Sequence, residues 1–180
     1  MSRFTFAFST LLAGALLSAC DTNPNPAKPP PTVQKVDLAR CMGRWHNIAW
    51  LPNSLQKGCA ESTIEYKRLP DGTVSVVSRC VAHGRPRVVK GSARVVNTKT
   101  NAIMEVAFDE PMSVFIPPSP KGNYFVLWLA SDYSAAAAGA PDHKCLWILA
   151  RDRTLTPPVF HEIMERCRNL GFAVDKLVFE

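Results

Sequence analysis

The sequence predicts an all-β fold: an eight-stranded up-and-down antiparallel barrel, one C-terminal α-helix flanking it, and a short closing strand. Two patterns carry this. Eight short runs rich in β-branched and aromatic residues are separated by hairpin-length turns, which suits a meander that closes on itself. A single amphipathic run, 156–170, follows the eighth. The bulk composition agrees. The chain has 180 residues, 47% of them hydrophobic, with mean hydropathy near zero, which suits one globular core rather than a membrane bundle.

The N-terminus is a separate matter. Arg3 precedes an apolar stretch, 4–17, too short to span a bilayer and right for a signal-peptide core. It ends in Leu17-Ser18-Ala19-Cys20, which reads as the lipobox of bacterial lipoproteins. Residues 1–19 are then a leader, and Cys20 takes the lipid and becomes the new N-terminus. Acyl chains there contribute about 0.8 kcal/mol per buried methylene to membrane attachment. Residues 20–35 are rich in Pro, Asn and Thr and read as an extended, semi-stiff tether before a domain at 36–180. Asp21 resembles the enterobacterial signal for inner-membrane retention.

The strands follow in order. Residues 36–40 are a polar turn. Residues 44–51 form the first strand, closed by Pro52-Asn53. Residues 61–68 and 73–81 flank Leu69-Pro70-Asp71-Gly72, a strong turn. Residues 87–96 and 102–108 flank a polar turn at 97–101. Residues 109–121 carry four prolines and read as a loop. Residues 123–130 are strongly apolar and aromatic. Residues 133–139 contain four alanines, which favour helix by propensity. The run is too short for a helix between two turns, so it is assigned as a strand. Residues 145–151 complete the barrel. Thr156 is placed to N-cap the helix and Pro157 fits its first turn. Val159, Ile163, Met164, Cys167 and Leu170 share one face, and Gly171 stops it. Residues 172–179 read as the closing strand.

Three short motifs narrow the class. Gly43-Arg44-Trp45 opens the first strand, Ser131-Asp132-Tyr133 joins two later ones, and Arg151 ends the last. In this order they resemble the three signature regions of the lipocalin family, over roughly residues 36–179. The likeness is nearest to the bacterial outer-envelope lipocalins and their apolipoprotein D-like relatives. It implies that Gly43, Trp45 and Arg151 close one end of the barrel, the guanidinium stacked on the indole.

Strand alternation then orients the walls. With Trp45 inward, so are Asn47, Ala49 and Leu51. With Arg151 at Trp45, then Leu149, Trp147 and Cys145 face in, and Leu146, Ile148 and Ala150 face the helix. The family resemblance suggests Tyr66, Ser78, Phe108, Tyr124 and Trp147 as cavity-lining positions, and alternation adds Val126 and Trp128. Such an aromatic, uncharged wall with a few hydroxyls suits an acyl chain or other elongated amphiphile.

Cys59 and Cys80 lie nearly equidistant from the Pro70-Asp71 turn and should face each other across its hairpin, as a disulfide in an exported protein. Cys41 with Cys167 is a further alternative, and the odd count leaves a free thiol, with Cys145 the first candidate. The four histidines lack metal-ligand spacing. His161-Glu162-Ile163-Met164-Glu165 lacks the second histidine of a zincin helix, and no nucleophile elbow or phosphate loop is present. No cofactor is expected and no catalytic residue is assigned. The net charge of +6 is scattered, which argues against nucleic acid. The expectation is a membrane-anchored lipid carrier in the bacterial envelope, facing the periplasm. The resemblance favours the outer membrane and Asp21 the inner. A thiol-dependent lipid-modifying enzyme using Cys145 and a closed structural barrel are the alternatives. The oligomeric state stays open, a homodimer included.

Overall fold

The structure, a computed structural model, describes residues 28–109 and 117–180. The leader, Cys20, Asp21 and the first part of the tether lie outside the described residues.

The chain forms a closed antiparallel barrel of eight strands. They are β1 (Gly43–Trp50), β2 (Cys59–Arg68), β3 (Val74–Ala82), β4 (Arg85–Val95), β5 (Ile103–Phe108), β6 (Tyr124–Leu129), β7 (Ala135–Gly139) and β8 (Leu146–Ala150). Each pairs with its sequence neighbour, and β1 closes the ring by pairing with both β2 and β8. A ninth strand, β9 (Val178–Phe179), lies outside the ring and pairs with β1 at Ala49 and Trp50, beyond the last β1–β2 pair. The closing strand is thus two residues long rather than the whole of 172–179. Val174–Lys176 is instead a single 3-10 turn.

Two further elements differ from the sequence expectation. The polar turn at 36–40 contains a short helix, α1 (Leu38–Cys41), started by Asp37, whose carboxylate accepts from Ala39 N. Four residues carry too little periodicity to be seen in a sequence. Residues 30–36, where the expected tether meets the expected domain, are pinned to the barrel. Val33 N donates to Val126 O, Val36 N donates to Thr100 O, and Pro30 is buried.

The helix α2 (Pro157–Asn169) lies where expected, and Gly171 ends it at φ +88°, a conformation glycine adopts without strain. Thr156 sits at the N-cap, but its side chain makes no capping bond. The predicted stripe packs on the barrel. Ile163 and Cys167 are buried among Leu127, Ala135, Ala137, Leu146 and Ile148, with Val159, Met164 and Leu170 beside them. The alanine run of β7 is explained by this packing, which overrides propensity. Ala135 and Ala137 lie beneath the helix, while Ala136 and Ala138 line the barrel interior. On the helix side, at Ala135 and Ala137, only small side chains fit between strand and helix. At Gly139 a Cβ would come within 2.7 Å of the Phe172 ring.

The register shifts at three places, in β1, β2 and β6, and two of these shifts move residues expected to line the interior. In β1 the register with β8 shifts between Asn47 and Ala49. Asn47 stays inside, whereas Ala49 and Leu51 join the layer beneath α2. Their predicted inward orientation is therefore wrong. A bulge inserts one residue and reverses the parity beyond it. The second shift is in β6, between Val126 and Trp128.

Candidate functional site: a two-chambered barrel interior

One end of the barrel is shut by a compact constellation. Gly43, at φ +92°, turns the chain from α1 into β1. That positive φ is what calls for glycine there, since a Cβ would meet Arg151 Nη1 only at an ordinary contact distance of 3.5 Å. Trp45 is buried, and its indole Nε1 donates to Cys41 O at 2.9 Å. The Arg151 guanidinium stacks on that indole, Cζ 3.9 Å from the ring centroid. Arg151 also donates to three carbonyls: Nη1 to Arg44 O, and Nη2 to Arg40 O and Met42 O. The 131–133 motif braces the same helix from outside. Tyr133 accepts at its hydroxyl from Asp37 N, and Arg40 stacks over its ring, 4.0 Å from the centroid. Asp132 accepts from Ser134 N and Oγ, and the Ser134 hydroxyl holds its carboxyl below the usual range. All three signature regions thus converge on one plug.

Above the plug the interior holds two chambers. The upper one opens toward the end carrying the β1–β2 and β5–β6 connections. Tyr66, Ser78, Phe108, Tyr124 and Trp147 all line it, together with Asn47 and Leu149, both also expected to face inward. The lower one, against the plug, is walled by apolar groups including Val36, Leu38, Val74, Met104 and Val126.

Trp128 departs from its expected place. It packs in the layer under α2, where its Nε1 donates to Glu162 Oε1 at 2.9 Å, and it lines neither chamber. The β6 bulge puts Leu127 and Trp128 on the helix side, so the parity that places Val126 inside does not carry past it.

The sequence reading missed two polar residues at the upper chamber. Gln56, from the 3-10 turn Ser54–Gln56, is buried, and its Oε1 accepts from Trp147 Nε1 at 2.7 Å and from Asn53 Nδ2 at 2.9 Å. Asn123 is buried too. Its Oδ1 accepts from Val106 N, and its Nδ2 donates to Val106 O and Pro117 O. Asn123 spends both ends of its amide on the protein and so shapes the wall, whereas Gln56 is held through Oε1 alone. The one visible signal for Asn123 was its place directly before the aromatic run of β6.

Among the described ionisable side chains, none carrying a charge at neutral pH lines either chamber. Tyr66 and Tyr124 do, and their hydroxyls meet at 3.1 Å. Burial pushes Tyr124 up to about 12 and Tyr66 well above the ordinary phenol range, so both stay neutral.

Cys59 and Cys80 form the expected disulfide, with Cα atoms 5.5 Å apart. Cys41, Cys145 and Cys167 are free, so the Cys41–Cys167 alternative does not hold. Those two sit in different layers: Cys41 against the lower chamber, and Cys167 on α2, buried between the helix and the barrel's outer face. Cys145 lines neither chamber, since β8 begins one residue later, at Leu146. Burial raises its pKa, which is the wrong direction for a reactive thiol.

This architecture matches known proteins. A family model described as a lipocalin-like domain covers residues 36–180. Temperature-induced lipocalin-1 of Arabidopsis thaliana is 32% identical over 148 residues, 81% of this chain and 78% of that protein. The outer membrane lipoprotein Blc of Vibrio cholerae is 28% identical over 176 residues, 96% of each chain. Among solved structures, lobster apocrustacyanin A1 matches with a TM-score of 0.62 at 13% identity, covering 86% of this chain and 91% of that one, a likeness in fold alone. The chain belongs to the lipocalin family.

Proposed function

We propose that this lipocalin binds lipids in the bacterial envelope: fatty acids, lysophospholipids or similar amphiphiles, held for storage, transport or membrane maintenance. The observation that carries the reading is the barrel interior itself. Its upper chamber is aromatic and uncharged, and its lower chamber is almost wholly apolar. An acyl chain placed there buries apolar area at about 25 cal/mol per Å². A charged headgroup finds no buried counter-ion within and stays at the open end.

Lipidation at Cys20 would tie the barrel to a membrane through the 20–35 segment, with residues 1–19 removed as a leader. The similarity to the outer membrane lipoprotein of V. cholerae supports an envelope location, in which the barrel would face the periplasm. Asp21 keeps inner-membrane retention as the competing destination. Against catalysis by a cavity thiol stand the position of Cys145 outside both chambers and its raised pKa.

Native mass spectrometry of the protein purified from its own envelope tests the reading. Added mass matching a lipid, removed by delipidation and restored by titration, is expected. An unliganded protein that takes up no fatty acid or lysophospholipid would instead favour a closed structural barrel.

A further inference from the structure

The two chambers are not one continuous bore. Tyr66 stands on β2 and Tyr124 on β6, four strands apart in a ring of eight and therefore across the barrel from each other. Their hydroxyls meet at 3.1 Å, and both rings line the upper and the lower chamber. Leu149 is the other residue that borders both. The tyrosine pair is thus a crossbar at the level where the chambers adjoin. Among the described residues neither hydroxyl makes another hydrogen bond, so the bridge is the single partnership each phenol has. Below it the wall is apolar: Val74, Met104, Val126, Leu129, Ala136 and Ala138.

We propose that the Tyr66–Tyr124 bridge is a gate that sets the length of acyl chain the barrel accepts. A short chain ends in the upper chamber with the bridge intact. A longer chain reaches the lower chamber only by parting the two hydroxyls, which then lose the one partner each has and face the apolar wall below. An unmade hydrogen bond in such a place costs more than a made one contributes. The extra methylenes of a long chain therefore add less affinity than their area alone would give. Tyr124 also stacks on Trp147, ring centroids 5.9 Å apart, so opening the gate changes the surroundings of a tryptophan and can be followed by fluorescence. This inference rests on the lipid-binding reading above.

The test is a chain-length profile. The mature chain, residues 20–180 carrying Cys20→Ser and so without leader or lipid, is delipidated and titrated calorimetrically with octanoate, dodecanoate and hexadecanoate. The same is done with Tyr66→Phe/Tyr124→Phe in that background, which removes the bridge and keeps both rings. The ratio of hexadecanoate to octanoate affinity is expected to rise about fivefold in the double variant. Adding Ala136→Leu, which fills the lower chamber, is expected to cancel that rise. If the double variant does not fold, Tyr124→Phe alone breaks the bridge and is read the same way. The same ratio with and without the bridge overturns the gate while leaving lipid binding in place. A rise that survives Ala136→Leu also overturns it, because the chain is then not entering the lower chamber. Absence of binding at every length in both proteins overturns the lipid reading and the gate together.

Discussion

Arg151 and Trp45 lock each other across the base of the barrel. The guanidinium lies 3.9 Å from the indole ring centroid and donates to three main-chain carbonyls of the segment leading into and opening β1. One side chain from the end of β8 therefore ties down α1, the turn after it and the start of β1. Trp45 and Arg151 should act on stability before they act on ligand choice. Trp45→Ala is expected to cost about 3–5 kcal/mol, a fall in melting temperature on the order of 10 °C for a chain this long. Arg151→Lys should also destabilise, because an ammonium cannot stack flat and serve three carbonyls at once. Thermal melts with and without fatty acid check this. An unchanged melting temperature with lost binding would instead place Trp45 in the ligand site.

The plug was legible because its motifs occur in a diagnostic order, and the helix because its stripe has the 3.6-residue period. The disulfide was legible because a hairpin brings residues about equally far from its turn close together, here diagonally, since Cys59 itself pairs with Ala82. What stayed hidden has a common cause. The bulges between Asn47 and Ala49 and between Val126 and Trp128 leave no mark in residue type. Strict alternation therefore carried Ala49, Leu51 and Trp128 to the wrong side. The Tyr66–Tyr124 bridge joins residues 58 apart in sequence, and only the closed ring makes them neighbours.

Gly139 is held small by its neighbours. A Cβ there would sit 2.7 Å from Phe172 Cζ and 3.0 Å from Leu127 Cδ1, both in the layer beneath α2. Gly139→Ala should destabilise by about 1–3 kcal/mol, the usual cost of overpacking. Phe172→Leu in the same chain should recover part of that loss, although alone it destabilises. Strictly additive losses in a denaturant-melt cycle would show that the two sites do not share this space.

Alkaline pH should loosen the fold through its thiols. Burial raises Cys167 from 9.0 to about 12 and Cys41 from 9.0 to about 11. Below pH 9 both thiols are protonated in the folded and unfolded chain, and their stabilising effect is fully present. Above pH 9 the unfolded chain releases protons that the folded chain keeps, so stability falls as pH rises, by up to about 1.4 kcal/mol per pH unit for each thiol. The drop in melting temperature from pH 8 to pH 10 should be smaller in Cys167→Ala than in wild type, whatever the variant's starting stability. Equal drops would show that Cys167 is not linked to the transition.

Anchorage should depend on one atom. Cys20→Ser is expected to release the protein from membranes into the soluble periplasmic fraction, because the lipobox reading gives the Cys20 thiol the lipid. Fractionation after a salt wash, read by immunoblot, is sufficient. A variant that stays with the membranes would mean that something other than this lipid holds the protein there.

Trp147 should report ligand entry. It lines the upper chamber, stacks on Tyr124 and donates to buried Gln56, so its ring is fixed at the wall an acyl chain must pass. Burying roughly 300 Å² of chain contributes about 7 kcal/mol before the costs of association, which points to micromolar affinity. Tryptophan fluorescence should change saturably on titration with a fatty acid. Trp45 sits in the plug, Trp128 under α2, and Trp50 is buried on β1 opposite Trp147 without lining either chamber, so the change should fall mainly with Trp147→Phe and persist in Trp50→Phe. Trp147→Ala should weaken binding about tenfold, since it removes the stacked ring and leaves Gln56 Oε1 without its indole donor. Equal affinity in Trp147→Ala and wild type, measured calorimetrically, would place the chain elsewhere than along this wall.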